Sequence, residues 1–357
     1  MPIPLAAGDI LRDRYIVRQI IGRGGMGSIY LAEDNRLPGR MCALKEVHIE
    51  PDVPEADLEQ GRDQFYREAS VLARLDHPNL PKVSDFFTES DRDYLVMDYV
   101  PGEDLKTLMD RARREGRFIP QDDVLRWAAQ LASALEYMHG QDPPVIHRDI
   151  KPSNLKVTPS GLLKLVDFGL VKQMAPGEMT VTVIQGRGTA QYTPLEQYGG
   201  DAGHTDPRSD IYAFGATLYH VLTNQPPPEA KLRFLNAHSL RSPREINPDI
   251  SPHVEQAVLW AIALHPDDRP ADIAESTLFS DNESPQYEDA KQYCYRANGV
   301  SSQGWHSCYR QQPLSGGCRR QIPSKDEVIS RPTFSSVGGF NVEGTIAIPL
   351  VCTRSSA

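Results

Sequence analysis

Apolar residues fall in short β-rich runs over the first hundred positions and at helical spacing after them. Tyr15-Ile16-Val17 leads into a glycine cluster, and Ser28-Ile29-Tyr30-Leu31-Ala32 follows it. Met41–Val47 and Asp93–Val100 are two further runs rich in β-branched, aromatic and apolar residues, so strands are predicted at all four places. Between the last two, Phe65, Leu72 and Leu75 stand near helical spacing and predict one helix. Farther on, Val124, Trp127, Leu131, Leu135 and Met138 form one stripe over Asp123–His139, and Ser209–Leu222 and Pro252–Leu264 read as further apolar helices. The pattern predicts an α+β chain with a leader at 1–14, a small β-rich unit with one main helix at about 15–100, and a larger, mainly helical unit at about 101–274.

The pattern changes near residue 275. Residues 1–274 contain 28 Leu, whereas 275–357 contain 3 Leu and 13 Ser, too few large aliphatics for a core of its own. That segment reads as a flexible, Ser-rich tail, in which Phe340–Ile348 alone alternates like a strand. Acidic and basic residues balance in the tail at 8 each, so the net charge of −10 belongs to the first 274 residues. Such a balance gives no reason to expect nucleic acid or an anionic membrane as partner. No apolar run approaches the roughly 18 residues of a membrane helix, and the N-terminus lacks the basic and apolar regions of a signal peptide. Five cysteines without a C-x-x-C pair argue against a disulfide scaffold and a structural zinc site, and a reducing, cytoplasmic setting is expected.

The candidate chemistry begins with Gly22-Arg23-Gly24-Gly25-Met26-Gly27, a G-x-G-x-x-G. A dinucleotide-binding loop would need a helix after it. A β-rich run follows instead, so the glycines read as a hairpin whose backbone N–H groups can approach phosphates unobstructed by Cβ atoms, with an ordinary turn as the bland alternative. Lys45, on a strand with small and apolar neighbours, is a cation for such a site, and Glu68 on the next helix is its candidate anion, with Glu59 a weaker one. His147-Arg148-Asp149-Ile150-Lys151-Pro152-Ser153-Asn154 is more specific. There an acid stands two positions before a lysine and five before an Asn, suited to accepting a hydroxyl proton and to holding a hard cation. Asp167-Phe168-Gly169 follows the strand-like Leu163–Val166 and adds a second carboxylate for such a cation.

In this order these residues resemble the Hanks-type, eukaryotic-like serine/threonine protein kinases, most closely the bacterial members, over about residues 12–272. Gly188-Thr189-Ala190-Gln191-Tyr192, Glu196, Asp210 and Arg269 agree with it. The resemblance implies a two-lobed kinase fold, with a β-rich N-lobe and a helical C-lobe, and ATP between them. Gly22, Gly24, Gly25 and Gly27 would cover the phosphates, and Lys45, oriented by Glu68, would hold two of them. Asp149 would accept the substrate hydroxyl proton and Lys151 would steady the γ-phosphate, which points to serine/threonine. Asn154 and Asp167 would hold Mg2+, with Mn2+ as the alternative ion. Ile21, Ile29, Ala43 and Leu155 would enclose the adenine, Met97 would back the pocket, and Asp98 and Val100 would offer backbone groups. Arg148 would receive a phosphate on Thr180 or Thr182, while Thr189 resembles the docking-loop threonine of the family.

The chain departs from the family pattern at Ile29 for Val, at Pro194-Leu195-Glu196 for Ala-Pro-Glu, and in the long link at residues 51–61. Three readings follow: an active kinase acting on protein serines and threonines, with a transient homodimer for autophosphorylation; a pseudokinase; and a small-molecule kinase. Intact Lys45, Asp149, Asn154 and Asp167 disfavour the second, and the Gly188–Glu196 segment with Arg269 disfavours the third.

Overall fold

A computed structural model describes residues 3–24, 27–47, 55–90, 92–167, 190–198 and 206–274. The first lobe is built on β1 (Ile10–Leu11), β2 (Tyr15–Gly24), β3 (Gly27–Asp34), β4 (Met41–Val47), the helix α1 (Glu55–Arg74), β5 (Val83–Glu89) and β6 (Arg92–Asp98). These strands form one antiparallel sheet in the order β1-β2-β3-β4-β6-β5. The leader at 1–14 does not stand apart from it, since Ile10 and Leu11 pair with Ile16 and Tyr15 and Leu11 is buried. The run expected to Val100 ends as a strand at Asp98, where the chain turns toward the second lobe.

That lobe opens with β7 (Glu103–Asp104), α2 (Leu105–Arg114) and α3 (Gln121–His139), and continues through β8 (Leu155–Val157) and β9 (Leu163–Leu165). It closes with α4 (Pro207–Thr223), α5 (Ala230–Leu235), α6 (Pro243–Ile246) and α7 (Pro252–Ala261). Local chemistry sets several of these limits. Asp104 caps α2 by accepting from Thr107 N at 2.8 Å, and Ser251 caps α7 by accepting from Val254 N at 3.3 Å. Asp206 caps α4 ahead of Pro207, and α4 stops where Asn224 turns left-handed at φ 55°. The predicted helix at 123–139 starts two residues earlier, directly after Pro120. The helix expected to Leu264 ends at Ala261.

One core runs from α1 and the inner face of the sheet through α3, β8 and β9 to α4 and α7. Its centre is α4, where Phe214, Ala216 and Val221 are fully buried. Gly215 lets α7 approach α4, because a Cβ there would stand 2.6 Å from Ala261 Cβ. A second core lies on the opposite face of the sheet, around Tyr15, Tyr30, Leu44, Phe87, Tyr94 and Val96, with Leu5 packed against it. The strand expected at 340–348 lies outside the described residues.

Candidate functional site

The glycine motif joins two strands, as expected of a hairpin. Strands β2 and β3 pair down to Gly24 opposite Gly27, and Gly27 has φ 138°, which disfavours any side chain. Gly22 lies opposite Ile29, and Gly25 falls outside the described residues. Strand β4 places Ala43 opposite Met97 on β6 and Lys45 opposite Ile29 on β3. Ile29, Ala43, Met97 and Leu155 belong to one packed cluster, so three strands and β8 bring these candidate apolar walls together. Ile21, on β2, is exposed. Val100 is buried, and Asp98 N–H is committed to Lys82 O at 2.9 Å, which holds the connection between the lobes.

Lys45 is 7% exposed, and its Nζ stands 2.5 Å from Asp167 Oδ1. Burial works to raise the Asp167 carboxyl, yet the Lys45 cation and its hydrogen bond, with Lys151 and His147 behind them, hold it below the usual carboxylate range. Asp167 takes a left-handed backbone, φ 60°, which an L-residue adopts at a cost. Glu68 is buried on α1, and its charge acts on Arg148.

Asp149 is held by its own loop. Lys151 Nζ donates to both carboxylate oxygens, at 2.9 and 2.8 Å. Asn154 Nδ2 donates to Asp149 O at 2.8 Å and to Asp149 Oδ2 at 2.9 Å. The 3-10 turn Pro152–Asn154 makes this reach possible, and Val166 N–H donates to Asn154 O at 2.8 Å, bringing the strand end that carries Asp167 alongside. Asn154 Oδ1 and the Asp167 carboxylate are neutral and anionic oxygen donors of the kind magnesium takes. Among the described residues no cluster of three or more His, Cys, Asp or Glu forms a closed metal cage. Two protein oxygens would leave the other positions of such an ion to phosphate or water.

Beneath the loop, the fully buried Asp210 accepts from His147 N and Arg148 N, both at 2.8 Å, and meets His139 Nε2 at 3.0 Å. Burial favours its neutral form, but the His139 hydrogen bond and these donors keep it ionised. Arg148, at φ 67°, has its guanidinium largely withdrawn from water. Burial lowers its pKa against the opposing charges of Asp210 and Glu68, and its Nε has no hydrogen-bond partner among the described residues. Thr180, Thr182, Thr189, Phe168 and Gly169 lie outside the described residues.

The segment Ala190–Tyr198 is fastened to α4 and to the chain beyond α7. Arg269, with its side chain fully buried, makes a two-pronged ion pair with Glu196, at 2.6 and 3.0 Å, and also donates to Ala263 O, Leu264 O and Arg208 O. Glu196 and Arg269, singled out separately by the resemblance, thus meet as a pair. Three fastenings were not visible in the sequence. Ser209 Oγ donates to Glu196 at 2.9 Å, Tyr192 OH lies 2.6 Å from His220 Nδ1, and Lys231 sits over the Tyr198 ring at 3.9 Å. Their partners are 13, 28 and 33 positions apart, and no local pattern marks such pairs.

A family model described as the protein kinase domain matches residues 15–280. A probable serine/threonine-protein kinase of Streptomyces coelicolor, SCO3848, is 35% identical over 269 residues, 72% of this chain and 38% of that one. The tyrosine-protein kinase MasK of Myxococcus xanthus is 34% identical over 267 residues, covering 71% of this chain and 40% of MasK. Among solved structures, the apo form of PpkA-294 superposes with a TM-score of 0.62 at 28% identity, covering 78% of this chain and 99% of that one. The chain spans about two fifths of the length of these two curated relatives.

Proposed function

The chain belongs to the protein kinase domain family, and on that premise we propose that it transfers the γ-phosphate of ATP to serine and threonine hydroxyls of proteins in the cytoplasm, as a component of signal transduction. The observation that carries the reading is the meeting of two hydrogen-bonded sets, Lys45 with Asp167 at 2.5 Å and Asp149 with Lys151 and Asn154 at 2.8 to 2.9 Å, which the bond from Val166 N–H to Asn154 O at 2.8 Å brings alongside each other. Catalysis of this kind rests on positioning and charge neutralisation more than on covalent chemistry.

Each residue takes the part its surroundings suit. The Gly22–Gly27 hairpin covers the phosphates, and Lys45 holds two of them, with Glu68 the candidate to orient it. Asn154 and Asp167 would hold Mg2+, or Mn2+, which supplies charge neutralisation on the phosphate oxygens. Asp149 orients the attacking hydroxyl and accepts its proton. Lys151, which now meets Asp149, would steady the γ-phosphate as charge develops there. Ile21, Ile29, Ala43, Met97, Val100 and Leu155 form the apolar enclosure of the adenine, and Asp98 and Val100 supply its backbone contacts. Ala190–Tyr198 receives the protein substrate. Autophosphorylation at Thr180 or Thr182, in a transient homodimer, would supply a dianion to the buried Arg148 guanidinium, and Thr189 serves the docking segment.

A tyrosine-directed relative at 34% identity makes tyrosine the second reading. Incubation with radiolabelled ATP, Mg2+ and a generic protein acceptor, followed by phosphoamino-acid analysis, tests both. Phosphoserine and phosphothreonine are expected. Phosphotyrosine alone would replace the acceptor assignment, and no transfer under conditions where the protein binds Mg-ATP would overturn the catalytic one.

A further inference from the structure

Lys45 and Glu46 are neighbours on β4, and successive side chains of a strand leave on opposite faces. Lys45 goes to the cleft, where it meets Asp167. Glu46 goes to the second core on the other face of the sheet, and is 1% exposed. A carboxylate there is costly unless its oxygens are taken by donors. They are taken from both neighbouring strands. Tyr30 OH, on β3, donates to Glu46 Oε2 at 2.6 Å, and Arg92 Nη1, at the start of β6, donates to Oε1 at 2.9 Å.

The N-terminal residues complete this arrangement. Arg92 Nη1 also donates to Ile3 O at 2.9 Å, and Leu5 N–H donates to Tyr30 OH at 3.1 Å. Asp9 O and Gly8 N–H then pair with Val17 N–H and O, both at 2.8 Å, tying Gly8 and Asp9 to β2. Burial, followed by the Glu46 bond, raises the Tyr30 hydroxyl above its ordinary range, so it remains a donor to Glu46 at any physiological pH.

We propose that Glu46 is a positioning residue for Lys45: bridged to Tyr30 and Arg92, it clamps β4 to both adjacent strands at the point where Lys45 leaves for the cleft, and residues 3–5 close the clamp. Directional bonds to two strands fix the height and twist of β4 in a way that apolar packing, which has no preferred direction, does not. Tyr30 follows Ile29, so the same clamp sets the strand that carries an apolar wall of the cleft.

The assignment rests on the proposed nucleotide site, and its test separates the two. In the full-length, nucleotide-free protein, Glu46→Gln and a triple variant, Tyr30→Phe/Glu46→Leu/Arg92→Met, are compared with wild type by amide hydrogen exchange, melting temperature and Mg-ATP titration. The triple variant removes the Glu46 carboxylate together with Tyr30 OH and the Arg92 guanidinium, so no buried charge of this network is left alone, and its melting temperature is expected to stay within a few degrees of wild type. In both variants exchange at Leu44–Val47 is expected to quicken about tenfold or more, and Mg-ATP affinity to fall about five- to tenfold, with the KM for a peptide acceptor unchanged. A triple variant with wild-type stability, exchange and affinity would overturn the proposal and leave the network a packing device. If wild-type protein fails to bind Mg-ATP, it is the nucleotide site that falls, and the exchange comparison still decides whether Glu46 holds β4.

Discussion

At the scale of single residues, two carboxylates of the site have separable work. Asp149 is surrounded by Lys151 and Asn154, whereas Asp167 meets Lys45. Asp149→Asn is expected to lower turnover by three or more orders of magnitude, with Mg-ATP binding close to wild type, because the group that takes the proton is lost and the phosphate contacts remain. Asp167→Asn is expected to weaken Mg2+-dependent nucleotide binding as well, by tenfold or more. Titration with and without Mg2+ tells them apart, and near-wild-type turnover in either variant would sink the assignment. His220 gives a prediction about pH. Its Nδ1 lies 2.6 Å from Tyr192 OH, and burial pushes its pKa down from 6.5 to about 4, Asp110 opposing the shift and Lys106 and Arg113 adding to it. The unfolded chain takes a proton at this position below about pH 6.5, whereas the folded one resists until about pH 4. The contribution to stability is therefore complete above pH 6.5 and is lost as the pH falls toward 4, to a total on the order of 3 kcal/mol. His220→Gln keeps an acceptor for Tyr192 and cannot titrate, so urea unfolding at pH 7.5 and 5 should show a smaller difference than in wild type.

At the scale of elements, two glycines set close approaches that other residues would prevent. A Cβ on Gly102, at φ 113°, would meet Val157 O at 2.1 Å, so the turn from the inter-lobe connection into β7 admits no side chain. In α4, a Cβ on Gly215 would meet Ala261 Cβ at 2.6 Å and Ile262 Cγ2 at 2.9 Å. Gly215→Val is expected to destabilise the protein by about 2–3 kcal/mol or more, through overpacking of a helix pair that lies at the centre of the core. The melting temperature should fall by roughly 5–10 °C. An unchanged melting temperature would show that α7 can move away from α4 at little cost. Elements also differed in how legible they were. Strand β4 was read to its ends because Met41–Val47 is continuously apolar apart from Lys45 and Glu46. Helix α2 was not read, although its buried Leu105, Met109 and Ala112 stand at i, i+4 and i+7, because the helix is short and mostly polar, with Lys106, Thr107, Asp110 and Arg111 among them. Strand β5 was missed because Val83-Ser84-Asp85-Phe86-Phe87-Thr88-Glu89 alternates poorly. It is a sheet edge, held by pairing with β6 more than by its own pattern.

For the whole molecule, the buried residues of the described structure end at Ile273. A chain ending at Phe279 is expected to keep its melting temperature within a few degrees and to retain Mg-ATP binding. A larger loss would assign residues 280–357 to the fold. The two lobes share one core, in which Ile29, Ala43 and Met97 of the sheet pack in the same cluster as Leu155 and α4. The cleft is thus a junction of packed elements, with Lys45 on β4 and Asp149, Asn154 and Asp167 on the connections beside β8 and β9.

The sequence by itself determined the parts of the site that are contiguous. Asp149, Lys151 and Asn154 lie within six positions, so one turn of backbone brings them together and their spacing is their geometry. The glycine hairpin was equally readable, since the β-rich run after Gly27 excludes a helix there. Tertiary structure alone decided which distant side chains meet. Glu46 stands 16 positions from Tyr30 and 46 from Arg92, and a buried acid in an apolar run reads as an interruption until the sheet brings its donors to it. Nor does any local signal announce that His220 reaches Tyr192, 28 positions away, or that Asp210 reaches back over 60 positions to hold the backbone before Asp149. Periodicity and capping act over a few residues, whereas these contacts follow from strand order and helix packing, which depend on how the whole chain closes its core.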